Sequence, residues 1–205
     1  MARTSGLTAG RLPTPIWAAA GTFSRITARS PLTLGSDTDT VTNKSSLFDI
    51  NFGDGKNTLS NFGSILGVVT SVGALTITNN STGNMGNVTT GAGADVLTNS
   101  SLMVNVSLGA GNDKVTNNAK SSINTLDTGA DNDTVTNNAI IFTVQLGSGN
   151  DTLTNAKGAS INDVLGGDDA DIVTNSGLIG SLQLEGGADI FNNKNIGSVT
   201  GLLDA

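Results

Sequence analysis

The chain contains no cysteine, no histidine and no tyrosine. Without cysteine there is no disulfide framework and no zinc–thiolate site. Without histidine the commonest general base is missing, and with it the Ser–His nucleophile pair and every imidazole-ligated metal. Aromatic residues make up 3% of the 205 residues, with one Trp, and there are 3 Pro. Lys and Arg together number 10 and Glu185 is the only glutamate, so helix formers with long charged side chains are scarce. No apolar run is long enough to span a membrane.

What is present suits turns and strands. There are 27 Gly, and Asn, Thr, Ser and Asp are abundant. Apolar residues, mostly Val, Leu and Ile, reach 37%, enough for a core and too many for a disordered chain.

The phrase "LGSGNDTLTN" at 146–155 returns as "LGAGNDKVTN" at 108–117 and "GADNDTVTN" at 129–137. With Asp151 as reference, its equivalents are Asp39, Asn57, Leu75, Asp95, Asp113, Asp133, Asp171 and Asp189, always 18 or 20 residues apart. From Leu75 onward the two spacings alternate, giving a 38-residue super-repeat. Two residues on, all nine rows are apolar, from Val41 through Val115 and Leu153 to Phe191. Four residues on, all nine are Asn: Asn43, Asn61, Asn79, Asn99, Asn117, Asn137, Asn155, Asn175 and Asn193. Seven residues before the reference all nine are apolar again, among them Leu32, Val68, Val106 and Leu182.

Each row reads as one coil. Val106-Ser107-Leu108 is a strand that points Val106 and Leu108 inward, because side chains alternate along a strand. The turn Gly109-Ala110-Gly111-Asn112 follows, then a second strand, 113–117, with Val115 inward. A looser turn absorbs the two-residue difference between long and short rows. A coil this short excludes a helical repeat pair and implies an all-β fold, a single-chain β-solenoid (β-helix or β-roll). About nine coils of 18–20 residues occupy 32–205, after a non-repeat N-terminal arm at 1–31. At about 4.8 Å per coil the rod is about 43 Å long.

The Asn column has a mechanism of its own. An amide carries donors and an acceptor. Stacked at coil spacing, it can bond its copies above and below. A Thr column (Thr42, Thr78, Thr98, Thr116, Thr136, Thr154, Thr174) reads as an outward, β-favouring stripe. Such a rank is one way to bind ice, but it runs beside an Asn column rather than in a two-Thr array, which argues against that use.

The Gly-x-Gly-x-Asp turns carry the site chemistry that remains. Gly109 with Gly111, and Gly147 with Gly149, allow a tight turn, and the Asp that follows can cap it. Asp95, Asp113, Asp133, Asp151, Asp171 and Asp189 then stack like charge over like charge. A hard cation such as Ca²⁺ would relieve that repulsion, and so would rotation into water. These six are the candidate metal ligands.

"GSGNDTLTN" and "GAGADVLTN" resemble the hemolysin-type (RTX) calcium repeat, Gly-Gly-x-Gly-x-Asp followed by an apolar residue. The likeness covers most of 91–191. It implies a β-roll and Ca²⁺ held between successive turns by the Asp column. The motif occurs once per coil rather than twice, and only Gly166-Gly167 keeps the leading Gly pair. The Asp-x-Val-Thr-Asn phrasing is also similar to the repeats of bacterial autotransporter passenger β-helices, which implies an adhesive surface stalk.

The arm differs in kind. Residues 1–31 hold all four Arg (Arg3, Arg11, Arg25, Arg29), the one Trp, all three Pro and no acid. The rest holds all 17 acidic residues and six Lys. This asymmetry suggests an attachment segment for a protein partner, with Arg3, Arg11, Trp17, Arg25 and Arg29 as contact residues. No secretory signal is recognisable. Ile16, Trp17 and Phe23 can also cap the first coil. At the far end Leu202 falls on the inner column of a tenth coil and no cap follows, so self-association is expected, a trimeric spike being one form.

Three classes of function compete: a structural rod, a calcium-dependent secreted module, and a glycan-cleaving β-helix enzyme. The enzyme is disfavoured. Glycosidases need a carboxylate pair in a groove, and the acids outside the repeat columns, such as Asp127, Asp163, Asp168 and Glu185, sit at or beside turns. The acidic rod offers nothing to nucleic acid. The expectation is a non-enzymatic rod displayed on a larger assembly, as a virion spike, fibre or decoration protein on the virion surface. A bacterial cell-surface adhesin or a secreted RTX-like module is the alternative, and a surface glycan or receptor is a candidate ligand.

Overall fold

The computed structural model describes residues 4–5, 22–24 and 31–204. Among these residues there is no helix, and every paired strand is parallel to its neighbours. The chain winds as a β-solenoid with two stacked sheets. One sheet is built from short strands such as Lys114–Asn117, Thr134–Asn137 and Thr152–Asn155. Their β-branched residues favour the extended backbone. Each pairs in register with its copy one coil away, Val115 opposite Val135 and Val135 opposite Leu153.

The other sheet is built from longer strands such as Leu102–Ser107, Ser122–Asp127 and Ile140–Ser148. Each of these turns a corner. Met103 and Val106 are both buried although they stand three residues apart, and Val104 and Asn105 between them both face outward. A straight strand would return to the inside every second residue. The bend wraps the second sheet around the core and brings the chain back to the first.

The core is a set of continuous columns. Val41, Leu59, Ile77, Leu97, Val115, Val135, Leu153 and Val173 form one, and Phe191 continues it partly buried. Leu108, Leu146 and Leu184 lie at the turn. A further column, from Leu47, Ile65 and Met85 through Met103 and Ile123 to Ile179, faces them.

Two expected inward residues are displaced by one position. Val69, not Val68, stands opposite Ile50 and Val88, and Val69 is the fully buried one. The strand Ser64–Thr70 carries one extra residue as a β-bulge. Asp49 Oδ1 holds the bulge by accepting the Val68 N–H at 2.8 Å, and a Cβ on Gly67 would collide with that carboxylate. Likewise Leu203 rather than Leu202 pairs with Leu182, because one extra residue follows Val199.

The arm contributes two short strands to the first sheet. Thr22–Ser24 pairs with Thr40–Asn43, Thr22 opposite Thr40, and Thr4–Ser5 pairs in turn with Thr22–Ser24. These pairings cover the edge of the first coil. No helix among the described residues is long and apolar enough to cross a membrane.

Val115 is completely buried and Lys114 beside it is exposed. Val115→Asp is expected to cost more than about 4 kcal/mol, the range reached by burying an unpaired charge. Lys114→Ala should stay within about 0.5 kcal/mol of the parent. Urea unfolding followed by circular dichroism distinguishes the two.

Candidate functional site

The side of each coil that holds the Asp also holds the Asn, because positions 0, +2 and +4 share one face of a strand. The Asn column is buried from Asn43 to Asn175. Its members bond head to tail: each Nδ2 donates to the Oδ1 of the next, in eight consecutive steps of 2.8–3.0 Å. The second amide hydrogen goes to a carbonyl of the other sheet, as from Asn117 to Ile140 O at 3.0 Å and from Asn155 to Leu178 O at 3.0 Å. The ladder ties the two sheets together where the chain leaves the first. This is a structural role, as the amide chemistry implied.

The Asp column lies at the opposite end of the same strands. The structure brings the six candidate ligands into one file and turns them inward. Asp95, Asp113, Asp133, Asp151 and Asp171 are buried and Asp189 is half-buried. Each carboxylate caps the preceding coil: Asp95 Oδ1 accepts the Leu75 N–H at 2.5 Å, and in the other five Oδ1 accepts the backbone N–H of the previous Asp at 2.6–2.9 Å, from Asp95 N–H into Asp113 through to Asp171 N–H into Asp189. Asn57 does the same for Asp39, and its Nδ2 finds Asp54 O at 2.9 Å. Leu75 has no acceptor to offer, and the Asn57 N–H turns to Ala74 O instead. The column therefore supplies one hydrogen-bond acceptor per coil to an N–H that the sheet leaves open.

Asp uses only half its carboxylate for this. Oδ2 is sealed from water and accepts no hydrogen bond at Asp95, Asp113, Asp133, Asp151 and Asp171. Desolvation pushes these groups up, to about 7 at both Asp113 and Asp151. The backbone N–H bond pulls down, and the neighbouring carboxylates push up again, Asp95, Asp133 and Asp131 on Asp113. Asp95 and Asp171 are raised for the same leading reason. Asp133 rises to about 6, with the backbone N–H of Asp113 offsetting part of the burial. Thr90 and Thr128 alternate with Leu108 and Leu146 along one buried column, so Asp95 and Asp133 have a hydroxyl nearby, which donates to Leu108 O and Leu146 O; beside Asp171 the same position is Gly166.

As arranged, the carboxylates of the column do not by themselves fill a calcium coordination shell. Ca²⁺ takes about six to eight oxygens. Each Asp here has committed Oδ1 to an N–H, which leaves one free oxygen per coil. Among the described residues no three acidic groups converge on a point.

The other candidate contacts, Arg3, Arg11, Trp17, Arg25 and Arg29, lie outside the described residues, as does Ile16. Phe23 falls in the strand that pairs with the first coil, opposite Val41. One feature of the face was misjudged from sequence. The Thr column does not run beside the Asn column on the surface, because the Asn point inward. Its outward neighbour is the position two residues earlier, which is Thr40, Thr58, Thr76, Thr134 and Thr152 in five coils. The period-two rule was the signal that could have found it.

A group whose folded pKa is raised stabilises the fold below its ordinary titration range and loses that contribution as pH rises through the folded value. The thermal midpoint is therefore expected to fall between pH 5 and pH 8, across the 6–7 window of Asp113, Asp133 and Asp151. Asp151→Asn keeps the Oδ1 acceptor, as Asn57 does, and removes the charge. It should raise the midpoint at pH 8 by at least about 2 °C, the shift given by ~1 kcal/mol in a domain of this size, and flatten the pH dependence. Scanning calorimetry at several pH values tests both. Relatives offer no shortcut to these measurements: no family model matches the chain, and comparison with curated proteins and with solved structures finds no significant match.

Proposed function

We propose that the chain is a non-enzymatic structural repeat protein, a rigid acidic rod attached to a larger assembly at its basic N-terminal end. The observation that carries this reading is the unbroken register of the first sheet. From Thr40–Asn43 to Ile190–Asn193 every coil pairs residue for residue with the next, with no inserted loop. Such a stack has a fixed length and little freedom to bend. The acids outside the Asp column support the same reading. Asp163 lies on the outer face of the second sheet and accepts a hydrogen bond from Ser181 at 2.5 Å. A shallow recess lined by Ser81, Ser100, Ser101, Leu102, Asn118 and Lys120 holds no carboxylate.

Attachment at the arm end has support from the surface. Phe48 and Leu66 are exposed on adjacent coils near that end, and Phe62 is exposed on the turn between the sheets. These side chains offer apolar area to a partner, and the sequence of the arm supplies positive charge. A virion surface is the proposed setting, and a bacterial cell surface is what the same experiment would otherwise reveal.

Deleting 1–31 is expected to preserve the β-sheet circular dichroism signal, to lower the thermal midpoint and to abolish co-purification with particles. Replacing Arg3, Arg11, Arg25 and Arg29 by Gln should weaken attachment and reduce its salt dependence, since exposed charges are screened over about 8–10 Å at ordinary ionic strength. Normal incorporation of the truncated chain would move the attachment site onto the rod. Calcium separates this rod from a secreted calcium-dependent module. The thermal midpoint should be the same in EDTA and in millimolar calcium, whereas a rise with added calcium would show the Asp column exchanging its N–H bonds for the ion.

A further inference from the structure

The outer face of the first sheet is an in-register lattice of hydroxyls. Its inner rank, from Thr42 to Thr174, carries a hydroxyl in every coil, with Ser60 in place of Thr once. Its outer rank is Thr40, Thr58 and Thr76, then Thr134 and Thr152. The pairing is in register throughout, so both ranks repeat once per coil, about 4.8 Å along the rod and about 6.7 Å across the strand. None of the hydroxyls from Thr42 to Thr174 is hydrogen-bonded to another described residue. The inner-rank side chains are half-buried against one another, and β-branching holds their χ1 angles. The Asn ladder underneath advances by a nearly constant step, which keeps the lattice even.

The face is also nearly uncharged. On a chain of net charge −7 it carries no acid, and Lys114 is its single cation. The partner must therefore be neutral, able to hydrogen-bond, and periodic on the scale of one coil. Nucleic acid needs several cations for its phosphates. Neutral sugars stack on aromatic rings, and among the described residues neither rank holds one: Phe191 points to the core, Phe48 and Phe142 lie elsewhere, and Phe62, two residues beyond Ser60, borders the face at a single coil.

We propose that this Thr-x-Thr face binds ice. The coil repeat is close to the shortest oxygen repeat in hexagonal ice, and a rigid array of hydroxyls and methyls can hold water in that arrangement. Liquid water has no such repeat, so a pre-ordered lattice binds the solid in preference. Val96, Lys114 and Ile172 interrupt the outer rank, with Val96 and Ile172 at least β-branched like Thr. This activity does not depend on what the arm attaches to.

The test uses the full chain fused to a fluorescent protein, adsorbed to a growing single-crystal ice hemisphere, with freezing hysteresis measured alongside. The parent should label defined ice planes and depress the freezing point below the melting point. Thr136→Tyr, which raises a bulky ring in the middle of the lattice, should lose both while keeping the parent circular dichroism spectrum. Asn124→Tyr, on the outer face of the other sheet, should keep both. Lys114→Thr completes the outer rank at that coil and should increase the hysteresis. Exclusion of the parent from ice, or equal adsorption of Thr136→Tyr, overturns the proposal. So does a dimer that Thr136→Tyr dissociates in the absence of ice adsorption, which would give the face to a second copy of the chain. If Thr136→Tyr does not fold, Lys114→Thr decides the matter, and no gain overturns it.

Discussion

The amide-to-amide hydrogen bond between stacked asparagines is the interaction on which this solenoid depends. It fixes three things at once. The step from Nδ2 to Oδ1 sets the distance between coils. The second amide hydrogen, bound to a carbonyl of the other sheet, sets where the chain crosses over. The same Oδ1 accepts a backbone N–H two residues on, as from Ala139 to Asn137, and so shapes the turn. Any other side chain of that size lacks either the donors or the acceptor. An alternative register would have to break the whole file, because each amide is both donor and acceptor for its neighbours.

The Asp file meets a similar need less economically. One backbone N–H per coil requires an acceptor inside the turn, and Asp, Asn or a backbone carbonyl can each supply it. Asp brings a second oxygen that the interior does not satisfy. The fold accommodates it by holding the group nearer its neutral form, since a neutral carboxyl costs far less to bury than a charged one. The turns are accordingly well determined in geometry and costly in electrostatics, and the cost grows as the solution becomes more basic.

Much of this was legible in the residues. Three unbroken columns in nine rows fixed the coil length, the inner faces of both sheets and the identity of the ladder. Parity also puts Asp, the apolar residue two places on and Asn on one inward face, a consequence missed where the Thr column is read as running beside the Asn column. A further apolar column, ten residues before the reference, from Leu47 and Ile65 to Ile179, was equally regular and shows where the second sheet bends. The bulge at Gly67 was hidden, because the coil that gains a residue there loses one before Leu75 and the row length stays unchanged. The Asp carboxylates were legible in position but not in protonation. That depends on how completely the folded turn removes each carboxylate from water, which is set by contacts between segments several residues apart.

The alternation of Thr128 with Leu146, and of Thr90 with Leu108, also bears on how such a chain can lengthen. Neighbouring coils are not interchangeable at this corner: a small hydroxyl sits between two bulky leucines. Copying a single coil would stack Leu on Leu, or Thr on Thr, and leave the corner overfilled or hollow. Copying 38 residues repeats the pair and preserves the fit. The packing at this corner therefore repeats every two coils, even though the hydrogen bonding repeats every one.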